Sequence, residues 1–321
     1  LLDGYNILIL DFYSTGLTIL NELKKYLRKK YKSKSFNEER NFRNEFHKLS
    51  NHVFLEIKNN KLAVKKSPAI GWLKILYENF DSFLLSFPQV QGLNSSWQWY
   101  KNGVTVPVLK NKIYPWYGTY FPTRFEHLKL FENWLNRYSG NKETAFDIGI
   151  GSGVLTMQML QNGFFKIYGT DINPNAIVGI REYADKNNLN SKIELFHGNL
   201  FAGCDNKVDL IVFNPPWLPQ KYNSKGIDNA IYYNEDLFPD FFKEAKNHLK
   251  PNGKIVLLFS NLAELTNSDF EHPIKKELQE GRFKKELFEF KKVKQASKKT
   301  KRNITTRKDE FVELWVLKQV D

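Results

Sequence analysis

The sequence of 321 residues contains a single cysteine, Cys204, and its six histidines are scattered along the chain. One cysteine cannot form an intramolecular disulfide, and these side chains lack the spacing of zinc ligands, so we expect neither a disulfide nor a metal. Long apolar runs are also missing, because Asp11 and Ser14 interrupt the apolar stretch near the N-terminus before it reaches the roughly 18 residues of a membrane span. These absences predict a soluble, cytoplasmic protein without a membrane partner.

The chain does contain ordinary globular material, with 41% hydrophobic and 15% aromatic residues, which is enough to bury a core. Its net charge of +13 is unevenly distributed, since residues 1–143 carry +10, residues 144–249 carry −3 and residues 250–321 carry +6. Two basic runs stand out, Lys24–Lys48 with ten basic and three acidic residues, and Lys284–Lys308 with eleven and two. They are either solvated faces of a lysine-rich protein or a footprint for nucleic acid or a ribonucleoprotein.

Two patterns divide the chain. Residues 1–110 show helical spacing and hairpin signals, which predict a smaller N-terminal domain of helices and hairpins that contributes to substrate recognition. Residues 111–321 predict an α/β domain, a doubly wound, Rossmann-like sheet of seven strands whose last two form an antiparallel hairpin. The expected N-terminal helices are 17–31, 36–49 and 69–79, with hairpins at Asn59-Asn60 and Asn102-Gly103; the expected strands of the sheet are 144–148, 165–171, 192–197, 207–213, 254–260, 285–293 and 310–319.

A glycine-rich turn follows the first strand of this sheet, with Asp147 before it and glycines at Gly149, Gly151 and Gly153. Such a turn lets a ligand approach main-chain N–H groups at the positive end of a helix. Asp171, at the end of the next strand, is placed to accept hydrogen bonds from both hydroxyls of a ribose. A nicotinamide dinucleotide uses similar features, but the G-x-G-x-G spacing and the acidic residue before it favour S-adenosyl-L-methionine, which carries an ammonium and a sulfonium.

The fourth strand runs directly into Asn214-Pro215-Pro216-Trp217. The two prolines force a rigid turn at the carboxyl edge of the sheet, where open α/β sheets bind ligands. The Asn214 side-chain oxygen and the Pro215 carbonyl can accept hydrogen bonds from an NH2 group, and Trp217 can stack on a planar substrate. We therefore expect these residues, with Pro216, to hold a planar nitrogen for methylation; the alternative is a proline-terminated strand with a core tryptophan.

The sequence resembles class I S-adenosylmethionine-dependent methyltransferases with an (N/D)PP(Y/F/W) motif, and among them the HemK/PrmC group, which methylates glutamine amides of translation release factors. The resemblance rests on DIGIGSGVLTMQML, GTDINPNAI, IELFHGNLF and VDLIVFNPPW. It implies an N-methyltransferase over residues 111–321. The cofactor contacts that it implies are Asp147, Gly149, Gly151 and Gly153 at the methionine end, Asp171 at the ribose, Asn199 and Leu200 at the adenine, and Ile172 as a further cofactor contact.

Two classes of acceptor stay open. The resemblance implies a translation-associated protein that is methylated on a side-chain amide nitrogen. The basic runs favour an adenine or guanine amine of RNA or DNA instead, since an aryl amine offers donors similar to those of an amide. After the NPPW motif the chain reads KYNSKGIDNAIYY, where the HemK/PrmC group usually has a glycine-rich stretch. A non-catalytic module that retains a cofactor fold is the third hypothesis.

Overall fold

The computed structural model describes residues 1–32, 36–220, 232–266, 270–293 and 309–320. The chain divides into two compact units, Leu1–Asn102 and Gly103–Asp321, a division that lies a few residues before the expected boundary at residue 110. Parts of three stretches discussed above lie outside the described residues: 33–35 and 294–308 of the two basic runs, and 221–231 after the NPPW motif.

The N-terminal unit combines a small sheet with helices. Its elements are β1 (Ile7–Ile9), α1 (Tyr13–Lys30), α2 (Phe36–Ser50), β2 (Val53–Lys58), β3 (Lys61–Leu62), α3 (Trp72–Leu76), β4 (Ser82–Ser86) and α4 (Phe87–Asn102). β2 pairs in parallel with β1 and antiparallel with β3 and β4. Asn59 and Asn60 form the turn between β2 and β3 at φ angles of 47° and 60°, as a two-residue hairpin turn requires, so this predicted hairpin is confirmed.

The second predicted hairpin, around Asn102-Gly103, is wrong. The chain forms α4 up to Asn102, and Trp97 on this helix packs edge-on against Trp72 of α3 with ring centroids 5.4 Å apart. Gly103 follows the helix at a φ of 69°. The pair therefore ends a helix instead of turning a hairpin, because both structures need a residue at positive φ and the packing of the aromatic rings decides between them.

The C-terminal unit is the expected doubly wound α/β domain. Its elements are α5 (Glu126–Leu135), β5 (Thr144–Ile148), α6 (Val154–Gln161), β6 (Lys166–Asp171), α7 (Pro174–Lys186), β7 (Ile193–His197), β8 (Val208–Phe213), β9 (Leu218–Pro219), β10 (Tyr232–Tyr233), α8 (Leu237–His248), β11 (Leu249–Ser260), α9 (Leu262–Thr266), α10 (Pro273–Glu280), β12 (Phe283–Lys292) and β13 (Phe311–Gln319). Seven strands form one sheet in the order β12-β13-β11-β8-β5-β6-β7. β13 runs antiparallel to both β11 and β12, while β11, β8, β5, β6 and β7 pair in parallel. The Rossmann-like sheet and its final antiparallel hairpin are confirmed.

Helices cover both faces of the central strands. Every residue of β8 is buried; Leu210 and Val212 pack with α5 and α6, whereas Ile211 and Phe213 pack with α8 on the other face. A strand covered on both sides is expected to be apolar throughout, as VDLIVF nearly is. None of the helices that the structure describes combines the length and the apolarity of a membrane span.

Candidate functional site

Three neighbouring strands bring the predicted site residues to one edge of the sheet. Ile148 at the end of β5 lies opposite Thr170 of β6 and Phe213 of β8. From these residues the chain continues into the glycine turn, Asp171 and Asn214, respectively. Because parallel strands end at a common edge, the predicted cofactor and acceptor residues, which are distant in sequence, become neighbours there.

Glycines shape the turn between β5 and α6. Gly149, Gly151 and Gly153 have φ angles of 67°, 50° and 74°. At Gly153 an added Cβ would lie 2.6 Å from Cδ1 of Ile180 on α7, so a larger residue would have to displace that side chain. The turn leads straight into the N-terminus of α6, an arrangement that favours polar or anionic groups of a ligand.

Asp147 lies inside the domain, beneath the turn. Its side chain is 1% exposed, and its Oδ2 accepts a hydrogen bond from Thr156 Oγ1 of α6 at 2.6 Å. The other oxygen, Oδ1, is buried and has no hydrogen-bond partner among the described residues. Burial raises the pKa of Asp147 to about 7, against the opposing hydrogen bonds from Thr156. A buried carboxylate oxygen that lacks a partner suits a cationic or hydrogen-bonding group of a ligand at this turn.

Asp171 ends β6 in a different environment. Its Oδ2 accepts a hydrogen bond from the Gly151 N–H and its Oδ1 accepts one from the Asn173 N–H, both at 2.8 Å. Burial raises the pKa of Asp171, and the two backbone N–H groups and His197 oppose that rise. Each oxygen keeps a further lone pair, so the carboxylate is fixed in place and can still accept hydrogen bonds from a diol.

The other predicted cofactor residues lie next to Asp171. Ile172 follows it directly and is 61% exposed. The Gly198 N–H donates to the Asp171 carbonyl at 3.0 Å, which places the turn after β7 beside the same strand end. In that turn Asn199 is exposed, whereas Leu200 is buried at a φ of 47°. Ile172 and Asn199 therefore offer side-chain surface to a ligand, while Leu200 shapes the turn.

A segment before α5, residues 114–120, contacts α7 and the residue before it. Asn173 Nδ2 donates a hydrogen bond to the Gly118 carbonyl at 2.9 Å. On α7, an added Cβ at Gly179 would lie 2.7 Å from Cβ of Trp116, so the absence of a side chain there lets the segment approach the helix. These contacts join the segment to Asn173, which lies two residues after Asp171, and to the first half of α7.

The NPPW residues leave β8 at the same edge. Pro215 is buried, and Asn214, Pro216 and Trp217 are half-buried. Trp217 Nε1 donates a hydrogen bond to Asn214 Oδ1 at 3.2 Å. The Trp217 ring also packs against the apolar clusters on both faces of the sheet. In this structure Trp217 is thus a neighbour of Asn214 and of the core, and its stacking on a substrate stays a prediction.

The structure adds His127, to which the sequence analysis assigned no role. This residue lies in the first turn of α5, is 3% exposed, and meets the Trp217 ring edge-on with ring centroids 5.4 Å apart. Its Nδ1 is buried without a hydrogen-bond partner in the described part of the chain. Burial lowers the pKa of His127 to about 4, so the ring is neutral near pH 7. The sequence analysis missed this contact because it joins two residues that are far apart in sequence.

Side chains that bind metals are not gathered at this edge. Among the described residues, no group of three or more His, Cys, Asp or Glu is arranged to hold an ion. Cys204 is free and buried, and its Sγ accepts a hydrogen bond from Asn206 Nδ2 at 3.5 Å. The site therefore consists of carboxylates, an amide, backbone groups and aromatic rings.

A comparison with protein families identifies the domain that carries this edge. The model of the methyltransferase small domain matches residues 129–291, about half of the chain. The chain belongs to the methyltransferase small domain family. The match includes the glycine turn, Asp171 and the NPPW motif, and it confirms the methyltransferase resemblance drawn from the sequence.

Two relatives of this methyltransferase family member have names that specify glutamine. A protein of Methanocaldococcus jannaschii, named as a putative protein N5-glutamine methyltransferase, is 35% identical over 129 residues, which cover 38% of this chain and 64% of the relative. The release factor glutamine methyltransferase of Aquifex aeolicus is 28% identical over 125 residues, which cover 35% and 44%. The matches thus span less than two thirds of either relative. Among solved structures, ribosomal protein L11 methylase of Lactobacillus delbrueckii subsp. bulgaricus is similar over 64% of this chain and 83% of its own, at 21% identity and a TM-score of 0.43.

Proposed function

We propose that this chain is an S-adenosylmethionine-dependent N-methyltransferase that methylates a side-chain amide nitrogen of a translation-associated protein. The observation that carries the proposal is the placement of Asn214 at the end of β8, at the same sheet edge as the glycine turn and Asp171. The names of the two relatives support an amide as the acceptor.

The residues at this edge fit S-adenosyl-L-methionine. Asp171 would bind the ribose hydroxyls through the lone pairs that its backbone donors leave free, with Ile172 and Asn199 beside the adenosine. The buried Oδ1 of Asp147, which lacks a partner among the described residues, would accept a hydrogen bond from the methionine end, directly or through a water. When bound, the cofactor supplies a methyl group on a positively charged sulfur.

Asn214 and Pro215 would hold the acceptor nitrogen. The Asn214 Oδ1 has a lone pair besides the one that faces Trp217, and the Pro215 carbonyl adds a second acceptor. An NH2 group that donates one hydrogen to each oxygen is fixed in orientation, so its nitrogen faces the methyl group. Neither oxygen has to act as a strong base, because the residues orient an uncharged nitrogen instead of ionising it.

A base amine of RNA or DNA is the second candidate acceptor, and the N-terminal unit favours it. Between α1 and α2, acidic side chains pair with Arg28 (to Glu39, 2.6 Å) and with Lys30 (to Glu45, 2.9 Å). Lys24 and Lys29 are exposed and have no ion pair in the described part of the chain. Uncompensated lysines on a helix attract phosphates, so binding that weakens steeply with salt would support this candidate.

Asn214→Ala tests the proposed function. The purified chain is incubated with methyl-labelled S-adenosylmethionine and a lysate of the source cell, which is then divided into protease-treated and nuclease-treated halves. We expect label that protease removes, a loss of transfer of about 100-fold or more in the variant, and a cofactor Kd changed by less than about twofold. Asn206→Ala, which removes an amide elsewhere in the same unit, is the control. Unchanged transfer in Asn214→Ala would refute the role of Asn214. Label that nuclease removes would show that the methyl acceptor is a nucleic acid and not a protein.

A further inference from the structure

The Asn214 side-chain amide has a fixed orientation in this structure. Trp217 Nε1 is a donor only, and it points at Asn214 Oδ1 across 3.2 Å. If the amide rotated by half a turn, its NH2 group would face the indole N–H, and two donors would oppose each other. The hydrogen bond therefore selects one of two amide orientations that are otherwise similar in shape.

The orientation of the Asn214 amide matters because the group to be methylated, an NH2 group, is a hydrogen-bond donor. An NH2 group needs an oxygen to accept its N–H, whereas the Asn214 NH2 would repel it. With the indole bonded to one side of Oδ1, the second lone pair of the same oxygen is left for the acceptor. Without the indole, the Asn214 amide could rotate and direct its NH2 group, instead of Oδ1, toward the nitrogen to be methylated.

His127 supports Trp217 from the buried side. Its ring meets the indole edge-on, with an interplanar angle of 90° and ring centroids 5.4 Å apart. Edge-to-face pairs are a favoured arrangement of aromatic rings. Because the imidazole is 3% exposed and its Nδ1 has no hydrogen-bond partner among the described residues, its contribution here is the shape of the ring.

We propose that Trp217 and His127 are positioning residues: His127 fixes the indole, and the indole N–H holds the Asn214 amide with its oxygen toward the acceptor. The assignment deepens the proposed function, since the benefit to transfer rests on the role of Asn214. The hydrogen bond and the ring contact, in contrast, can be tested without any acceptor.

Indole NMR tests the hydrogen bond in the full-length chain. With 15N-labelled tryptophan the protein gives seven indole signals, and Trp217→Phe identifies that of Trp217. We expect Asn214→Ala to shift this signal and to speed its exchange with D2O by about fivefold or more, as loss of one hydrogen bond predicts. Asn214→Asp, which keeps an acceptor oxygen, should preserve slow exchange. An unchanged Trp217 signal in Asn214→Ala would overturn the proposal.

A second buried indole provides an internal control. Trp315 Nε1 donates to Glu313 Oε2 at 2.7 Å in the same unit. Its signal should stay in place in Asn214→Ala. A shift of the Trp315 signal as large as that of Trp217 would mean that the variant perturbs the whole fold, and would also count against the proposal.

Rates of methyl transfer test the consequence for catalysis. With a fixed protein fraction of the lysate, Trp217→Phe and His127→Ala should each lower kcat by about five- to tenfold, as loss of one orienting contact predicts, and leave the KM for S-adenosylmethionine unchanged. His127→Phe should restore most of the kcat, because it replaces one ring by another. Trp315→Phe controls for the loss of a buried indole.

The outcomes separate the two proposals. An altered cofactor KM, or a His127→Phe variant as impaired as His127→Ala, would overturn the positioning role. If the unmodified chain transfers no methyl group while the indole signals behave as expected, the proposed function fails and the hydrogen bond stands.

Discussion

Two carboxylates stand at the ends of neighbouring strands, and their surroundings are opposite. Asp147 is buried, with one oxygen bonded to Thr156 and the other without a partner in the described structure, whereas Asp171 receives a backbone N–H on each oxygen. Burial raises the pKa of both, to about 7 for Asp147, and hydrogen bonds oppose the rise in each case, from Thr156 at Asp147 and from two backbone N–H groups at Asp171. Hydrogen bonds to both oxygens thus hold the Asp171 carboxylate in one orientation, whereas burial moves the titration of the Asp147 carboxylate to about pH 7.

Asp147→Asn should remove the part of the pH dependence of the free energy of unfolding that the buried Asp147 carboxylate causes. The folded-state pKa of about 7 exceeds the ordinary value of 3.8, so between these pH values the unfolded chain releases its proton first and the free energy of unfolding falls as pH rises. The full fall is of order 4 kcal/mol. It should be absent in the variant, as urea unfolding at about pH 4.5, 6 and 8 would measure. A variant that keeps the slope of the unmodified chain would contradict the burial argument.

Asp171→Ala should weaken the binding of S-adenosylmethionine. Loss of charge-assisted hydrogen bonds to a ribose costs about 1.5 to 3 kcal/mol, which raises the Kd for S-adenosylmethionine by roughly 10- to 150-fold. Isothermal titration calorimetry measures this change, and the exposed Asp205→Ala is the matched control. Affinity equal to that of the unmodified chain would withdraw the ribose assignment.

Thr156→Val should have the smallest effect of the three variants and should raise the pKa of Asp147 further above that of an ordinary carboxyl. The Thr156 hydroxyl lowers the pKa of Asp147, so its removal should cost about 1 kcal/mol near pH 8 and move the end of the stability fall to higher pH. The same urea unfolding series, carried out on Thr156→Val, measures both. Thr144→Val removes a hydroxyl from another carboxylate, Asp209, and should leave the transition near pH 7 in place; if both variants move it equally, Thr156 has no special role.

Local patterns predicted the sheet and the carboxyl edge well. Continuous apolar strands, a glycine turn and a proline-terminated strand are properties of neighbouring residues, and parallel pairing then determines where β5, β6 and β8 end. The same reasoning chose wrongly at Asn102-Gly103, because a hairpin turn and a helix end share the requirement for positive φ. Only the packing of Trp97 on Trp72 separates them.

The contacts of individual side chains in the site were harder to predict from the sequence. The sequence places Asp147 at a cofactor turn, but its burial and its bond to Thr156 depend on how α6 lies over the sheet. His127 belongs to no motif, and the features that distinguish it, its burial and its ring contact with Trp217, depend on packing between residues that are distant in sequence. Properties set by long-range packing are therefore the ones that sequence patterns miss.

The position of β13 has a consequence for synthesis. This strand follows β12 in the chain yet lies between β11 and β12 in the sheet, paired along β11 from Lys254 to Ser260. During translation, the edge of β11 that pairs with β13 stays unpaired until β13 has been synthesised. The strands of the N-terminal unit, in contrast, are all complete by then. Translation that stops before Phe311 should thus yield an aggregating chain, in which β11 is an exposed edge and β12 lacks its partner strand, instead of a smaller working domain.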